Sequence, residues 1–239
     1  MQRVVGGSTA VESAPVTDAP RVPWHGALVT DAPRVAWCLP WHGALDPYAI
    51  GGQMMALSAA QRAGIVCGPQ ITFSALVDHA RTDLVEMARS AGATHLLWLD
   101  SDIRPPIDVC ERLLRHQLPI VGGLYCYKTP PYNPVVFGLE PFRHVAPNMG
   151  EVLTRVDGLG HGCLLVDIRV YDLFPAQDAY RTEWPEGEDV RFCRLLGLRG
   201  QPIYLDTTVR CEHAFAPRGV SLDDWDGHST ERGAMTYIR

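Results

Sequence analysis

The sequence holds no apolar run approaching the roughly 20 residues that span a bilayer as a helix, so it offers no transmembrane reading. Residues 1–15 lack the apolar centre of a secretory signal. The seven cysteines, Cys38, Cys67, Cys110, Cys126, Cys163, Cys193 and Cys211, are scattered and contain no CxxC pair. That spacing suits neither a zinc site nor a disulfide framework, and reduced thiols in a cytoplasmic protein are expected. An excess of positive charge is also missing. The formal net charge is −6, which argues against nucleic acid or an anionic membrane as a bulk electrostatic partner but leaves room for a local basic groove. The GxGxxG fingerprint of dinucleotide sites is absent. The glycine-rich stretch Gly158-Leu159-Gly160-His161-Gly162-Cys163 has neither that spacing nor a following helix.

What is present is ordinary globular material. The chain has 239 residues, 46% hydrophobic and 20% charged, enough for one large α/β domain or two small ones. The N-terminus is duplicated. Val16 to Val22 recurs as Val29 to Val35, and Pro23 to Leu28 recurs as Pro40 to Leu45. The second copy alone carries Ala36-Trp37-Cys38-Leu39, which completes an apolar strand. Two short copies are too few for a solenoid. Residues 1–33 are therefore expected to be a flexible leader, with the domain over 34–220 and a tail over 221–239. Truncating the leader should leave folding and activity largely intact. A large fall in melting temperature would show instead that it is integrated into the fold.

From Arg34 onward the pattern alternates. Val35 to Leu39 reads as a buried strand, Pro47 to Gln61 as a helix, and Gly64 to Phe73 contains a second strand. Ser74 to Ser90 is a helix whose apolar face is Leu76, Val77, Ala80, Leu84, Val85 and Ala88, with Gly92 suited to end it and Arg81 on its polar side. Thr94 to Leu99 is an apolar strand running into Asp100-Ser101-Asp102. Pro106 to His116 is a helix, and Pro119 to Tyr125 a strand. Pro134 to Phe137, Val152 to Val156 and Gly162 to Asp167 look like further strands. Gly187 to Leu198 is a helix and Gln201 to Leu205 a final strand. Alternation of this kind predicts an α/β fold with a mostly parallel, Rossmann-type sheet flanked by helices.

The chemistry concentrates at strand exits. Asp100-Ser101-Asp102 stands at the carboxyl end of a buried strand, where open α/β sheets bind ligands. In extended chain, positions two apart share a side, so the two carboxylates would form a hard oxygen site for Mg²⁺ or Mn²⁺ that can hold a diphosphate. The bland alternative is a pair of solvated loop acids. Glu188-Asp189 opens a helix, either as dipole-favoured acids or as a general base taking a proton from an attacking hydroxyl. His213 follows the last strand, as an exposed imidazole or a metal ligand. Arg81 can reach a phosphate, or be a solvated helix charge. The glycines at 158–162 allow close approach to a sugar, or make a tight turn. Tyr125, Tyr127 and Lys128 can line an acceptor cleft.

Taken in order, these pieces resemble the GT-A glycosyltransferases, over roughly Arg34 to Ala214. They are similar in particular to compact phage-type enzymes, some of which modify DNA. The residues that carry the likeness are Thr94 to Leu97 with Asp100-Ser101-Asp102, Pro119 to Gly122 with Leu124-Tyr125, Gly160 to Leu165, Gly187 to Val190 with Phe192-Cys193, and His213. The resemblance implies a nucleotide-sugar donor, a UDP-sugar by preference, contacted by Pro40, Arg81, Asp100, Ser101, Gly160 and His161. It implies Mn²⁺ or Mg²⁺ held by Asp102 and His213 with Asp100 beside them, and Asp189, or else Glu188, as the base of an inverting enzyme. His161 departs from the small residue common at that turn. By resemblance one acceptor would be DNA carrying hydroxymethylated pyrimidines, with protein, lipid and polysaccharide acceptors equally open. Arg104, Arg112, Arg115, His116 and Lys128 would supply one basic rim, and Arg210, Arg218, Arg232 and Arg239 another. Two other classes fit the same acids: a metal-dependent phosphodiesterase or nuclease, and a non-catalytic sugar-nucleotide-binding module.

Overall fold

The computed structural model describes residues 32–41, 45–74, 76–175, 178–184, 186–215 and 218–225. The repeats that make up the leader, through residue 31, and residues 226–239 of the tail lie outside the described residues. Among the described residues no helix is long and apolar enough to cross a membrane.

The first half builds as the pattern dictates. Strand β1 (Arg34–Trp41) is buried at six consecutive positions, as a central strand covered on both faces must be. Asp46 caps helix α1 (Pro47–Arg62), accepting from Tyr48 N and Ala49 N, with Pro47 opening the first turn. Strand β2 (Val66–Phe73) pairs parallel to β1. Helix α2 (Val77–Ser90) stops at Gly92, whose φ of +67° is the left-handed conformation glycine adopts without strain. Strand β3 (His95–Leu99) then pairs parallel to the other side of β1. Helices α1 and α2 lie on opposite faces. Cys67 Sγ reaches the Leu57 carbonyl of α1, while Gln70, of opposite strand parity, reaches the Met87 carbonyl of α2.

The second half departs from simple alternation. After β4 (Ile103–Arg104), α3 (Val109–Arg115) and β5 (Ile120–Leu124) come β6 (Val136–Leu139), β7 (Phe142–His144), β8 (Leu153–Val156), β9 (Gly158–Leu159) and β10 (Cys163–Asp167). Helix α4 (Glu188–Leu198), β11 (Ile203–Arg210), β12 (Glu212–Phe215) and β13 (Arg218–Val220) follow. The main sheet has seven strands in the order β2-β1-β3-β10-β5-β11-β8. Strands β2, β1, β3, β5 and β11 run one way; β10 and β8 run against their neighbours. The expected mostly parallel sheet flanked by helices is thus present. The reversed β10 in its middle was not legible, because Cys163 to Asp167 are all buried and an apolar run carries no direction.

Two further differences bear on the site. Strand β11 was not the last. It bulges at Asp206, whose carboxylate accepts from Thr208 N, Val209 N and the Thr208 hydroxyl and lies 2.8 Å from His116 Nε2. Beyond the bulge, β12 forms a small second sheet with β13 and β4. The tail also begins in structure: Ser221 caps a short 3₁₀ turn, Leu222–Asp224, with reciprocal bonds to Asp224.

Candidate active site

Strand order reverses between β1 and β3, which opens a crevice at the carboxyl ends of the parallel strands. Asp100 follows β3 directly into that crevice. The chain does not stay extended there. Ile103 N bonds back to Asp100 O at 3.0 Å, making a turn, so the two aspartates do not share one side as expected. Their carboxylates go to different partners. Gln53, buried in the small-residue face of α1, clamps the turn by donating Nε2 to both Asp100 O and Ile103 O at 2.8 Å. Sequence reading missed Gln53. Its signal is a lone amide in the stripe Ala49, Gly52, Ala56, Leu57 and Ala60.

Asp100 Oδ1 accepts from Arg81 Nη2 at 2.9 Å, and Glu188 Oε1 accepts from Arg81 Nε at 3.1 Å. Arg81 is not on a polar helix face. Its side chain is 2% exposed, with the guanidinium carbon 5.3 Å from the Trp98 ring centre and 5.9 Å from that of Tyr180. Its Nη1 has no hydrogen-bond partner among the described residues. A buried donor left unpaired in this way is uncommon and costs stability, so it marks the site as built around Arg81. Burial pushes the Asp100 carboxyl up despite the opposing charge of Arg81.

Asp102 lies on the other side of the turn. Its position is fixed by Ala214 N donating to Asp102 O at 2.7 Å and by Ile103 pairing with His213. Its Oδ2 is 2.5 Å from Lys128 Nζ and 3.5 Å from His213 Nε2. Burial opposes its charge, but hydrogen bonds and charge from His213 and Lys128 outweigh that and hold the carboxyl well below the usual range. His213 Nδ1 is 2.8 Å from the Cys126 carbonyl, which can only accept. Nδ1 therefore carries a proton, and Nε2 faces Asp102, donating to its carboxylate when the ring is protonated and presenting a lone pair when it is neutral.

Asp189 sits beside Glu188 at the start of α4, its Oδ1 accepting from Val190 N at 2.7 Å. Burial, with the adjacent Glu188 charge, pushes its carboxyl up to about 7. Glu188 is committed to Arg81, so of the two acids Asp189 is the one without an ion pair among the described residues.

Four expected donor contacts are buried or half-buried. His161 is 1% exposed, packed edge-on against Tyr180 and Phe192, and burial keeps its ring well below the usual pKa. It is packed as a core histidine. Gly160 is buried around Tyr125 rather than open to a sugar, for a β-carbon there would lie 2.2 Å from the tyrosine oxygen and 2.6 Å from Val135 Cγ1. Pro40 is buried within β1, and Ser101 is half-buried in the turn. Asp100, bound by Arg81, does not complete a metal cluster: among the described residues no three His, Cys, Asp or Glu side chains converge on one point. Gly160→Ala should therefore destabilise by roughly 1–3 kcal/mol, several degrees of melting temperature, through overpacking against Tyr125. An unchanged melting temperature would show that Tyr125 yields without strain.

The sequence matches no protein-family model and no curated protein. Among solved structures, A197 from STIV superposes with a TM-score of 0.58 at 20% identity, over 80% of this chain and 91% of that one. The catalytic domain of Drosophila β1,4-galactosyltransferase 7, in complex with xylobiose, gives a TM-score of 0.48 at 14% identity, over 78% of this chain and 67% of that one. The first likeness is one of fold; the second is too loose to carry an argument.

Proposed function

We propose that this protein is a glycosyltransferase of the GT-A type, which moves a sugar from a nucleotide-sugar donor to an acceptor hydroxyl and depends on Mn²⁺ or Mg²⁺. One observation carries the reading: Arg81 ties Asp100, at the exit of β3, to Glu188, at the start of α4, and so brings the neighbouring Asp189 close enough to Asp100 for their charges to interact. On this reading the leaving-group side and the proton-accepting side come from distant segments of the chain.

The donor set fits a divalent cation. Metal–oxygen and metal–nitrogen bonds of about 2.1 Å let two ligands up to about 4 Å apart share one ion. Asp102 Oδ2 and His213 Nε2 are 3.5 Å apart, and the imidazole tautomer is the ligating one. Asp102 and His213 would hold the ion, with diphosphate oxygens and water filling the other positions. When bound, the cation would neutralise charge on the departing diphosphate. Asp189 takes the proton of the acceptor hydroxyl as it attacks the anomeric carbon, and a base with a pKa near neutrality suits that task. Beside Tyr180, a cleft of about 380 Å³ lined by Phe73, Asp78, His79, Thr82 and Arg181 offers a place for the nucleoside, a UDP moiety by preference, with the exposed Phe73 ring as a stacking surface.

The acceptor is a hydroxyl-bearing molecule. Hydroxymethylated DNA is one member of that class, but the first of the two expected basic rims is largely paired with acids, while Arg232 and Arg239 of the second lie outside the described residues. Arg104 pairs with Glu212, Arg112 with Asp108, His116 with Asp206 and Lys128 with Asp102. The test is release of nucleoside diphosphate from UDP- and GDP-sugars with Mn²⁺, against simple glycosides and hydroxymethylated DNA. Phosphodiester cleavage without consumption of the nucleotide sugar would make the protein a nuclease. Tight donor binding without release would make it a binding module.

A further inference from the structure

Lys128 is the only lysine in a chain that contains 20 arginines. It lies in the loop after β5, and its ammonium is 2.5 Å from Asp102 Oδ2, the same oxygen that faces His213 Nε2. Arginine takes the other lysine-or-arginine ion pairs among the described residues, including the buried one to Asp100 and Glu188. The two cations differ in a way that matters here. A guanidinium grips a carboxylate through a rigid, two-pronged fork. An ammonium is a point charge on a flexible stem, which one oxygen can exchange for another. The Lys128 side chain is 31% exposed and its carboxylate partner 34%, so neither is locked in the core. An ammonium and a divalent ion drawn to the same carboxylate oxygen repel each other, so the two compete for it.

We propose that Lys128 is an exchangeable counter-ion for the cation site: it neutralises Asp102 while no divalent ion is bound, and moves onto the donor diphosphate when Asp102 takes up the ion. The inference rests on the reading of Asp102 and His213 as cation ligands. It makes Lys128 a donor-binding residue rather than part of an acceptor cleft. It also gives a physical reason for a lysine at this position, because an arginine would hold Asp102 too firmly to exchange.

The test uses Mn²⁺ alone, titrated into the full chain and followed by the electron paramagnetic resonance of the free ion. Lys128→Met keeps the stem and removes the charge, so Mn²⁺ affinity should rise about tenfold or more over wild type. Lys128→Arg keeps the competitor, so Mn²⁺ should bind no more tightly than to wild type. With Mn²⁺ saturating, UDP should bind Lys128→Met about tenfold more weakly, because the diphosphate has lost a charged donor. Unchanged or weaker Mn²⁺ binding in Lys128→Met, with wild type binding the ion, would overturn the counter-ion role and leave the metal reading intact. Unchanged UDP affinity would overturn the transfer to the diphosphate. Absence of Mn²⁺ binding in wild type and both variants would overturn the metal reading and this inference with it.

Discussion

Asp189→Asn should lower the rate of sugar transfer by about 10²–10⁴, the range a general base supplies, while Mn²⁺ and nucleoside diphosphate bind nearly as to wild type. The reasoning is differential. The base acts on the acceptor proton only in the transition state, so its loss falls on kcat and not on donor binding. The amide oxygen of asparagine can still accept from Val190 N, and the lost charge at the start of α4 weakens the helix by roughly 0.3–1 kcal/mol at most. Wild-type activity should rise with pH and level off above about 7, where the carboxyl is ionised. Retention of more than about a tenth of the wild-type rate lies far above what losing a base allows and would reduce Asp189 to a helix cap.

The same substitution carries a stability signature with a fixed sign. The folded-state pKa of Asp189 lies above its unfolded value of 3.8. The unfolded chain therefore gives up this proton first, and its ionisation favours unfolding progressively as pH rises from about 4 to about 7. Asparagine has no such ionisation. Relative to wild type, Asp189→Asn should melt at a higher temperature at pH 8 than it does at pH 5. A difference in melting temperature that stays constant across that window would show that Asp189 is not perturbed by burial.

Asp102→Asn should be as damaging to activity but by another route. A neutral amide is a far poorer ligand for a hard dication, and removing even an outer partner of a metal site costs about 10–100-fold in affinity. Mn²⁺ affinity should fall by at least about a hundredfold, and transfer should fall with it. The turn itself should persist, because Asp102 is held through its backbone oxygen by Ala214 N and through Ile103 in the β4–β12 pairing. The two variants separate in a binding titration with UDP and Mn²⁺: Asp102→Asn weak, Asp189→Asn near normal. Full turnover by the wild-type protein in excess EDTA would sink the metal assignment.

The architecture of the first half was legible because each of its elements is written locally. Asp46-Pro47 starts α1, Gly92 ends α2, and the apolar run into Asp100 marks a buried strand end at which ligands gather. Arg81 shows where such reading stops. It stands four residues from Val77 and from Val85, so the helical period places it on the buried face, yet its charge makes exposure the natural reading. Burial is tenable only because Asp100, 19 residues on, and Glu188, 107 residues on, meet it there. His161 is the converse case: a polar residue beside glycines suggested a ligand contact, and the aromatic shell of Tyr180 and Phe192 made it core.

The sequence by itself determined the α/β class, the strand exits that carry acids, and which residue types were available to bind a cation or accept a proton. These follow from propensity, period and side-chain chemistry, all of which act over a few residues. The tertiary structure alone decided the rest. It reversed β10 within the sheet, turned the chain after Asp100, and brought Lys128 and His213 to one oxygen of Asp102. It left Asp189, rather than Glu188, as the acid without an ion pair among the described residues. Each of these depends on charges and backbone groups that are distant in sequence, and pairwise electrostatics and packing act through space, where separation along the chain leaves no trace in the local pattern.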